Sequence, residues 1–216
     1  SALLDSAANI KVGQIKNSDM VNIYKYDNAI YTMKITGKQL KKYMEWSASY
    51  FNQYKSGDLT VSFNPTMATY LYDNFSGVNY EINISKPVGS RIENLKYPDG
   101  KAVKDSDTIY LTTTDYRSNS KLLNDLFKGE SVEIIHKTSG DPVSAVRDLI
   151  AQYIQTAGGT INNSFTPNWK LTGFQLDPDQ KTWVSKLVAN GTLTIPKSEN
   201  GKNSNAKCIT VSDITP

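Results

Sequence analysis

Tyr31, Met33 and Ile35 alternate with Thr32 and Lys34, and within a few residues the pattern changes from a period of two to one near 3.6. Thr36 stands three residues before Gln39, the spacing of a capping box, in which the threonine oxygen accepts from the amide at 39 and the glutamine reaches back. Leu40, Tyr43, Met44, Ser47 and Phe51 follow at helical spacing and give one packing face. A strand therefore feeds directly into a helix, and any fold of this chain must place a buried strand end beside a helix start. Upstream, Val21 to Lys25 reads as a further short strand, and Tyr26-Asp27-Asn28 as a turn, since Asp and Asn side chains bond the local backbone. A tyrosine at such a corner either packs over the turn or offers a ring face to a ligand.

The rest of the chain alternates strand and helix signals. Leu3–Ala8 reads as the end of a helix that starts upstream, so the chain is expected to be a piece of a longer protein; Asn9–Gly13 follows as a loop. Leu59–Phe63, Val78–Ile84, Ile92–Leu95, Thr108–Asp115, Ser131–His136, Trp169–Phe174 and Cys208–Val211 read as strands, with Tyr70 and Tyr72 on extended backbone. Tyr97-Pro98-Asp99-Gly100 is a turn. Ser118 or Asn119 is the expected cap of a helix carrying Leu122, Leu123, Leu126 and Phe127 and stopping at Gly129. Asp141-Pro142 opens the next helix, whose stripe is Val143, Val146, Leu149, Ile150, Tyr153 and Ile154 and whose end is Gly158-Gly159. Gln180–Ala189 is a short helix. Several strand pairs are joined by turns too short for parallel crossovers, which predicts α+β, or α/β with mixed sheets, over a doubly wound parallel sheet. No linker or repeat divides residues 1–216, and the length suffices for a sizeable core.

Chemistry is narrowed mostly by what the residues exclude. Lys+Arg 24 against Asp+Glu 21 gives a net charge of +3, too even for a nucleic-acid polymer or an anionic membrane as partner. No apolar run reaches the roughly 20 residues of a membrane span. Cys208 is alone, and with His136 as the single histidine the usual nitrogen and sulfur ligands of a metal centre are missing. His136, in a strand, reads as structural. Neither a nucleophile elbow nor a glycine-rich phosphate loop is present. The pattern is that of a recognition domain with no catalytic residues of its own. Tyr26 and Tyr116, each at a strand end, are placed to sandwich a planar group, and base–aromatic stacking contributes about 1–3 kcal/mol per base. Arg117 beside Tyr116 faces an anion or covers the strand end; Lys11 is a lone cation near a small-residue turn.

Taken together, Ser6–Gly13, Tyr26-Asp27-Asn28, Ile35–Lys38, Glu45–Ala48 with Phe51-Asn52, Gly77–Ile82, Arg91–Leu95, Asp115-Tyr116-Arg117 and Asn168–Leu171 resemble, in order and spacing, the C-terminal domain of the 5′-nucleotidase family. The similarity covers nearly the whole chain and is greatest to the bifunctional 2′,3′-cyclic-nucleotide 2′-phosphodiesterase/3′-nucleotidase branch. It implies mixed sheets layered with helices. It also implies a division of labour: an N-terminal metallophosphoesterase domain, absent from this chain, holds two divalent metal ions and hydrolyses, while this domain binds the nucleoside or nucleotide and presents the phosphate. On that resemblance Tyr26 and Tyr116 stack the base and Asn28 contacts its edge. Lys11 falls near a phosphate-binding position with Ser6 beside it, Arg117 belongs to the branch's tyrosine-arginine pair, and Tyr70 lies near the pocket. Ser118-Asn119-Ser120 stands where relatives carry a Gly-Gly turn and often a ribose-binding aspartate. The resemblance implies an exported, periplasmic or cell-wall location, no metal in this stretch and no hydrolysis by it alone. The competing expectations are a glycan-binding module with a platform of Trp46, Trp169 or Trp183, and a domain that anchors its parent at the cell surface.

Overall fold

In the computed structural model, which describes residues 12–161, 166–194 and 209–214, backbone contacts divide the chain into two compact units. One comprises Leu3–Tyr43 with Lys104–Thr166; the other is built from Met44–Val103 and Pro167–Pro216. The chain crosses from one unit to the other inside a helix, between Tyr43 and Met44.

The first unit is built around strand β1 (Ile30–Thr36), central in an antiparallel sheet between β4 (Thr108–Thr114) and β5 (Glu133–Lys137). Its ladder with β4 is unbroken from Ile30 opposite Thr114 to Thr36 opposite Thr108, whereas a bulge interrupts its pairing with β5 between Thr32 and Met33. Met33 and Ile35 are buried, as the alternation predicts. The capping box is present in full: Gln39 N donates to Thr36 Oγ1 at 3.1 Å and Thr36 N to Gln39 Oε1 at 2.8 Å. Helix α2 (Gly37–Ala48) starts there, and Leu40, Tyr43, Met44 and Ser47 are all buried.

Three expectations are corrected in this unit. Val21–Lys25 is not a strand. Asn17–Ile23 is a helix, α1, because the Asp19 carboxylate accepts from Lys16 N at 2.7 Å and Met20 finds a buried position. The helix after β4 is capped by neither Ser118 nor Asn119. Thr114 Oγ1 accepts from Arg117 N, one α-helical turn α3 (Asp115–Arg117) forms, and the chain widens into a π-helix over Ser118–Leu126. Polar side chains ease that change of register by donating to carbonyls of the preceding turn, as Ser118 Oγ does to Thr114 O and Asn124 Nδ2 to Asn119 O. Helix α4 (Val146–Thr156) begins well after Asp141-Pro142, whose segment is held as a loop by the His136–Asp141 pair at 3.0 Å and by Thr138 Oγ1 donating to Ser144 O.

In the second unit β2 (Asn79–Asn83) lies between antiparallel β3 (Ile92–Lys96) and parallel β6 (Trp169–Thr172), so this sheet is mixed. Tyr80, Ile82 and Ile84 are buried. Asn168 Nδ2 donates to both Phe75 O and Val78 O and fixes the start of β6. At its end Gly173 has φ +80°, and a Cβ there would meet Asn83 Oδ1 at 1.9 Å, so no other residue fits. The interior is aromatic: Tyr72 stacks on Tyr50 at 5.1 Å, Trp169 stacks on Tyr80 at 6.4 Å, and Phe51 and Phe63 pack against them. Helix α5 (Pro178–Ala189), capped by Asp177, packs Val184 on Leu59 and Ile209.

Leu59–Phe63 is not a strand, because its backbone groups are satisfied singly by different segments: Leu59 N donates to Ile209 O, and Ser62 O accepts from Asn52 N. Tyr70 lies in a 3₁₀ turn, Thr69–Leu71, rather than on extended backbone. Val211 also lies in a 3₁₀ turn, Val211–Asp213.

Two buried ions tie α2 to the turn before β3. Glu45 accepts from Gly89 N at 2.9 Å and Ile92 N at 2.7 Å. Arg91, 1% exposed, donates to Ala48 O at 2.9 Å and Phe51 O at 2.6 Å, closing the helix C-terminus with a positive charge. Burial lowers the arginine's pKa and Glu45 opposes that shift. Replacing Arg91 with Met leaves two buried carbonyls and a buried carboxylate without their cation, and is expected to cost about 3–5 kcal/mol in urea or thermal unfolding; a loss under about 1 kcal/mol would show the ion to be dispensable.

A second prediction concerns alkaline pH. Burial pushes the Tyr80 hydroxyl up from 10.0 to about 12, and Tyr72 is raised further by the same cause. Between those values the unfolded chain binds fewer protons than the folded one, so stability is fully present below pH 10 and falls as pH rises toward 12. The slope from one such group reaches roughly 1.4 kcal/mol per pH unit. Tyr80→Phe should make the fall visibly shallower in unfolding curves recorded across that range, and an unchanged slope would contradict the assignment.

Candidate functional site

Because Ile30 pairs with Thr114, the chain entering β1 and the chain leaving β4 lie side by side at one end of the first unit's sheet. That register brings the corner 26–28 and the corner 115–117 together, although almost ninety residues separate them in sequence. The corner entering β1 is held from three directions. Asp115 N donates to Ala29 O at 2.9 Å, Val146 N at the start of α4 donates to Asn28 O at 2.9 Å, and Ile30 N donates to Thr138 Oγ1 at 2.9 Å. Arg147 forms an ion pair with Asp27. Such a corner is rigid although it belongs to no regular element.

Beside it opens a cavity of about 450 Å³, lined by Asn28, Asp115, Tyr116, Asn119, Ser120 and Asn124. Apart from the tyrosine ring the lining is amide, hydroxyl and carboxylate. Tyr116 is 46% exposed and Tyr26 45%, unusual for rings at corners otherwise so well held. Each has a cation near its ring: Lys25 Nζ lies 5.5 Å from the Tyr26 centroid and the Arg117 guanidinium 6.0 Å from that of Tyr116. Arg117 is 4% exposed, so it braces the Tyr116 corner from the interior. Tyr24 meets the Tyr26 ring edge-on at 6.2 Å and accepts from Asn28 Nδ2 at 2.8 Å. Its hydroxyl pKa is raised, first by burial and then by the nearby Asp115 and Tyr26, with the Asn28 hydrogen bond and Arg117 opposing.

Of the residues singled out from the sequence, the first unit contains Tyr26, Asn28, Tyr116 and Arg117, and the sheet register brings them to one end. Tyr70 belongs to the second unit. Ser6 and Lys11 lie outside the described residues. The sequence reading did not single out Tyr24, Asn124 or Arg147, and it named Asn119 and Ser120 only as a cap candidate or as part of the stretch that stands where relatives carry a Gly-Gly turn. Asn119 and Asn124 are five apart, a spacing that brings side chains together on a π-helix and not on an α-helix, and nothing in the residue pattern announces a π-helix. Among the described residues no three His, Cys, Asp or Glu side chains gather as a metal site, and no helix is long and apolar enough to cross a membrane. Trp169 is half-buried against Tyr72 and Tyr80, so it does not contribute to an exposed platform; Trp183 is 46% exposed.

Comparison with known proteins places the chain in a family. The family model described as "5′-nucleotidase, C-terminal domain" matches residues 2–128, more than half of the chain. The chain is 28% identical over 208 residues to a 2′,3′-cyclic-nucleotide 2′-phosphodiesterase/3′-nucleotidase of Haemophilus influenzae, covering 83% of this chain and 30% of that protein. It is 27% identical to the Salmonella typhimurium protein of the same description, covering 80% and 28%, and 27% identical to the trifunctional nucleotide phosphoesterase protein YfkN of Bacillus subtilis, covering 84% and 13%. The chain thus spans less than a third of each of these relatives. Among solved structures, a 5′-nucleotidase precursor from Thermus thermophilus superposes with a TM-score of 0.55 at 12% identity, over 74% of this chain and 28% of that one. The NAD nucleotidase of Haemophilus influenzae superposes with a TM-score of 0.51 at 15% identity, over 73% and 26%, and both likenesses speak to fold alone. The mixed α/β architecture and the match over residues 2–128 together show that the chain belongs to the 5′-nucleotidase C-terminal-domain family.

Proposed function

We propose that this chain is the nucleotide-binding part of a metal-dependent 2′,3′-cyclic-nucleotide 2′-phosphodiesterase/3′-nucleotidase. Tyr26 and Tyr116 stack the base from two sides, Asn28 contacts its edge, and the polar cavity beside Tyr116 receives the sugar. Hydrolysis belongs to a metallophosphoesterase domain outside these residues, with two divalent metal ions, to which this domain presents the phosphate. Lys11 and Ser6 meet the phosphate, and Arg117 acts from beneath Tyr116. The parent protein works outside the cytoplasm, in periplasm or at the cell wall, where it degrades nucleotides.

The observation that carries this reading is the exposure of two tyrosines at the same end of one antiparallel strand pair, one of which, Tyr116, lines a cavity together with amide, hydroxyl and carboxylate side chains. A ring left half in water at a rigid corner is inefficient as packing, yet it is ready to cover a flat heterocycle. The relatives, described as 2′,3′-cyclic-nucleotide 2′-phosphodiesterase/3′-nucleotidases, suggest the substrate class.

The test is calorimetric or NMR titration of the 216-residue chain with adenosine and 3′-AMP. Saturable binding is expected, weakened by about tenfold or more in both Tyr26→Ala and Tyr116→Ala, as loss of one stacking face of roughly 1–3 kcal/mol requires. Wild-type affinity in either variant would remove that ring from the site. The chain alone, supplied with Mg²⁺ or Mn²⁺, should release no phosphate from 3′-AMP; turnover would overturn the division of labour.

A further inference from the structure

We infer that the outer edge of β4 is a self-association surface: two copies of this chain pair it antiparallel about a two-fold axis at Tyr110, making one six-stranded sheet with three strands from each copy. The surface consists of main-chain groups along the strand, from residues that do not line the cavity beside Tyr116.

The register of β4 decides which of its backbone groups face outward. Gly37 N donates to Asp107 O and Asp115 N to Ala29 O, both in line with the ladder that pairs Ile30 with Thr114. In an antiparallel pair such bonded positions recur at every second residue, so Ile109, Leu111 and Thr113 turn their N–H and C=O groups to β1. Thr108, Tyr110 and Thr112 turn theirs the other way, where among the described residues no strand pairs with β4.

A bare row of this kind is a template for another strand, and proteins ordinarily blunt it with charge, a bulge or a short strand. The other three edges of the two sheets are blunted. Strand β5 carries Glu133, His136 and Lys137 and meets β1 across a bulge. Strand β3 carries Glu93 and Lys96, and the chain that follows returns along it, with Lys96 bridging Ala102 and Val103 N donating to Leu95 O. Strand β6 is four residues long and includes Lys170. Strand β4 has none of these devices: it is seven residues, Thr-Ile-Tyr-Leu-Thr-Thr-Thr, without charge, proline or glycine, in an unbroken ladder. Tyr110 is 65% exposed, and Thr108 and Thr112 are exposed on either side of it.

The same positions select the partner. Along the outward row, Thr108, Tyr110 and Thr112 read alike in both directions. An antiparallel second copy therefore sets Tyr110 beside Tyr110 and each Thr108 beside a Thr112. All of these are bonded pairs, as the alternation requires, and facing aromatics and facing threonines are favourable cross-strand pairs. A register overlapping all seven residues would instead set Asp107 against Asp115 of the second copy at both ends, and like charges directly opposite are unfavourable. With no charge on the edge, a charged extended peptide finds no counter-ion there, whereas a second copy meets no repulsion. The blunted β5 edges then lie on the outside of the joined sheet and stop the assembly at two copies.

The experiment follows the mass of the 216-residue chain by sedimentation across concentration, up to that of an NMR sample, beside amide hydrogen exchange. A reversible monomer–dimer equilibrium is expected, in which the Tyr110 and Thr112 amides slow as the dimer forms while that of Leu111 is slow throughout. Tyr110→Lys places two ammonium groups opposite each other on the axis and should weaken dimerisation by about tenfold or more. Its melting temperature is recorded beside the wild type's in dilute solution, where the exposed ring contributes little. In a Cys208→Ser background, Tyr110→Cys should cross-link the two copies under copper–phenanthroline oxidation, since the Cα atoms of a bonded antiparallel pair lie about 5.5 Å apart, within disulfide reach. Thr108→Cys, which faces Thr112 of the second copy, should not. A chain that stays monomeric at every concentration, a dimer that Tyr110→Lys leaves intact, or growth beyond two copies overturns the inference. Tyr110 and Thr112 amides that are already slow in the dilute monomer also overturn it, because the chain's own residues then cover the edge. Should Tyr110→Lys not fold, the cysteine variants decide, and equal cross-linking at the two positions overturns it.

Discussion

The ladder between β1 and β4 is the constraint on which the candidate site depends. Seven consecutive pairs run from Ile30 with Thr114 to Thr36 with Thr108, without a bulge. Slipping that register by one residue would turn Met33 and Ile35 to the wrong face, so the burial of the strand also fixes which residues meet at its end. Tyr26, Asn28 and Tyr116 occupy their places as a by-product of packing the sheet. Their neighbours then need only to hold the two corners still, and backbone bonds from Asp115 and Val146 do so without spending the exposed side chains. The bulge against β5 is consistent with this, because irregularity is confined to the strand pair that does not lead into the cavity.

The second unit solves a different problem with buried charge. Helix α2 ends where two carbonyls, of Ala48 and Phe51, point into the interior, and Arg91 satisfies both. An arginine so deeply buried needs a nearby anion, and Glu45 provides it while itself accepting backbone N–H bonds from Gly89 in the turn before β3 and from Ile92 at the start of that strand. The helix end and the turn are thus each other's hydrogen-bond partners, and the aromatic cluster of Tyr50, Phe51, Phe63 and Tyr72 packs against a backbone already held in place. The two charges attract, and each satisfies a different set of backbone groups between the helix and the segment that enters β3.

Where the physics is local, the sequence was legible. The Thr36–Gln39 box, the alternation of β1 and β2, the Tyr97–Gly100 turn and the stop at Gly158-Gly159 are written within a few residues, and all of them are present. The resemblance to the family rested on the same kind of short, ordered stretches, and the family match agrees with it. What escaped depends on partners distant in sequence or on competition between hydrogen-bonding patterns. Leu59–Phe63 has strand-forming residues but, among the described residues, makes only the isolated bridge of Phe63 with Phe51 and no ladder. Helix α1 rests on the Asp19 bond to Lys16 N and on the burial of Met20, which together outweigh a β-prone run that overlaps its end. The parallel pairing of β6 with β2 joins segments about ninety residues apart. The π-helix arises from side chains that take up carbonyls in the preceding turn, a contest that propensity does not decide. The exposed corner positions of Tyr26 and Tyr116 could be read from type and position, whereas the contact of Tyr24 with Asn28 depends on a helix that the residue pattern does not announce.

The π-helix also changes the character of the cavity. A Gly-Gly turn would contribute backbone alone, whereas Ser118-Asn119-Ser120 and the wider turn that follows carry Asn119, Ser120 and Asn124 to the lining. Amides and hydroxyls both donate and accept, so they can meet sugar hydroxyls in more than one orientation. The same widening draws Asn124 Nδ2 onto Asn119 O, so part of the polar lining is taken up in holding the turn and the remainder faces the cavity.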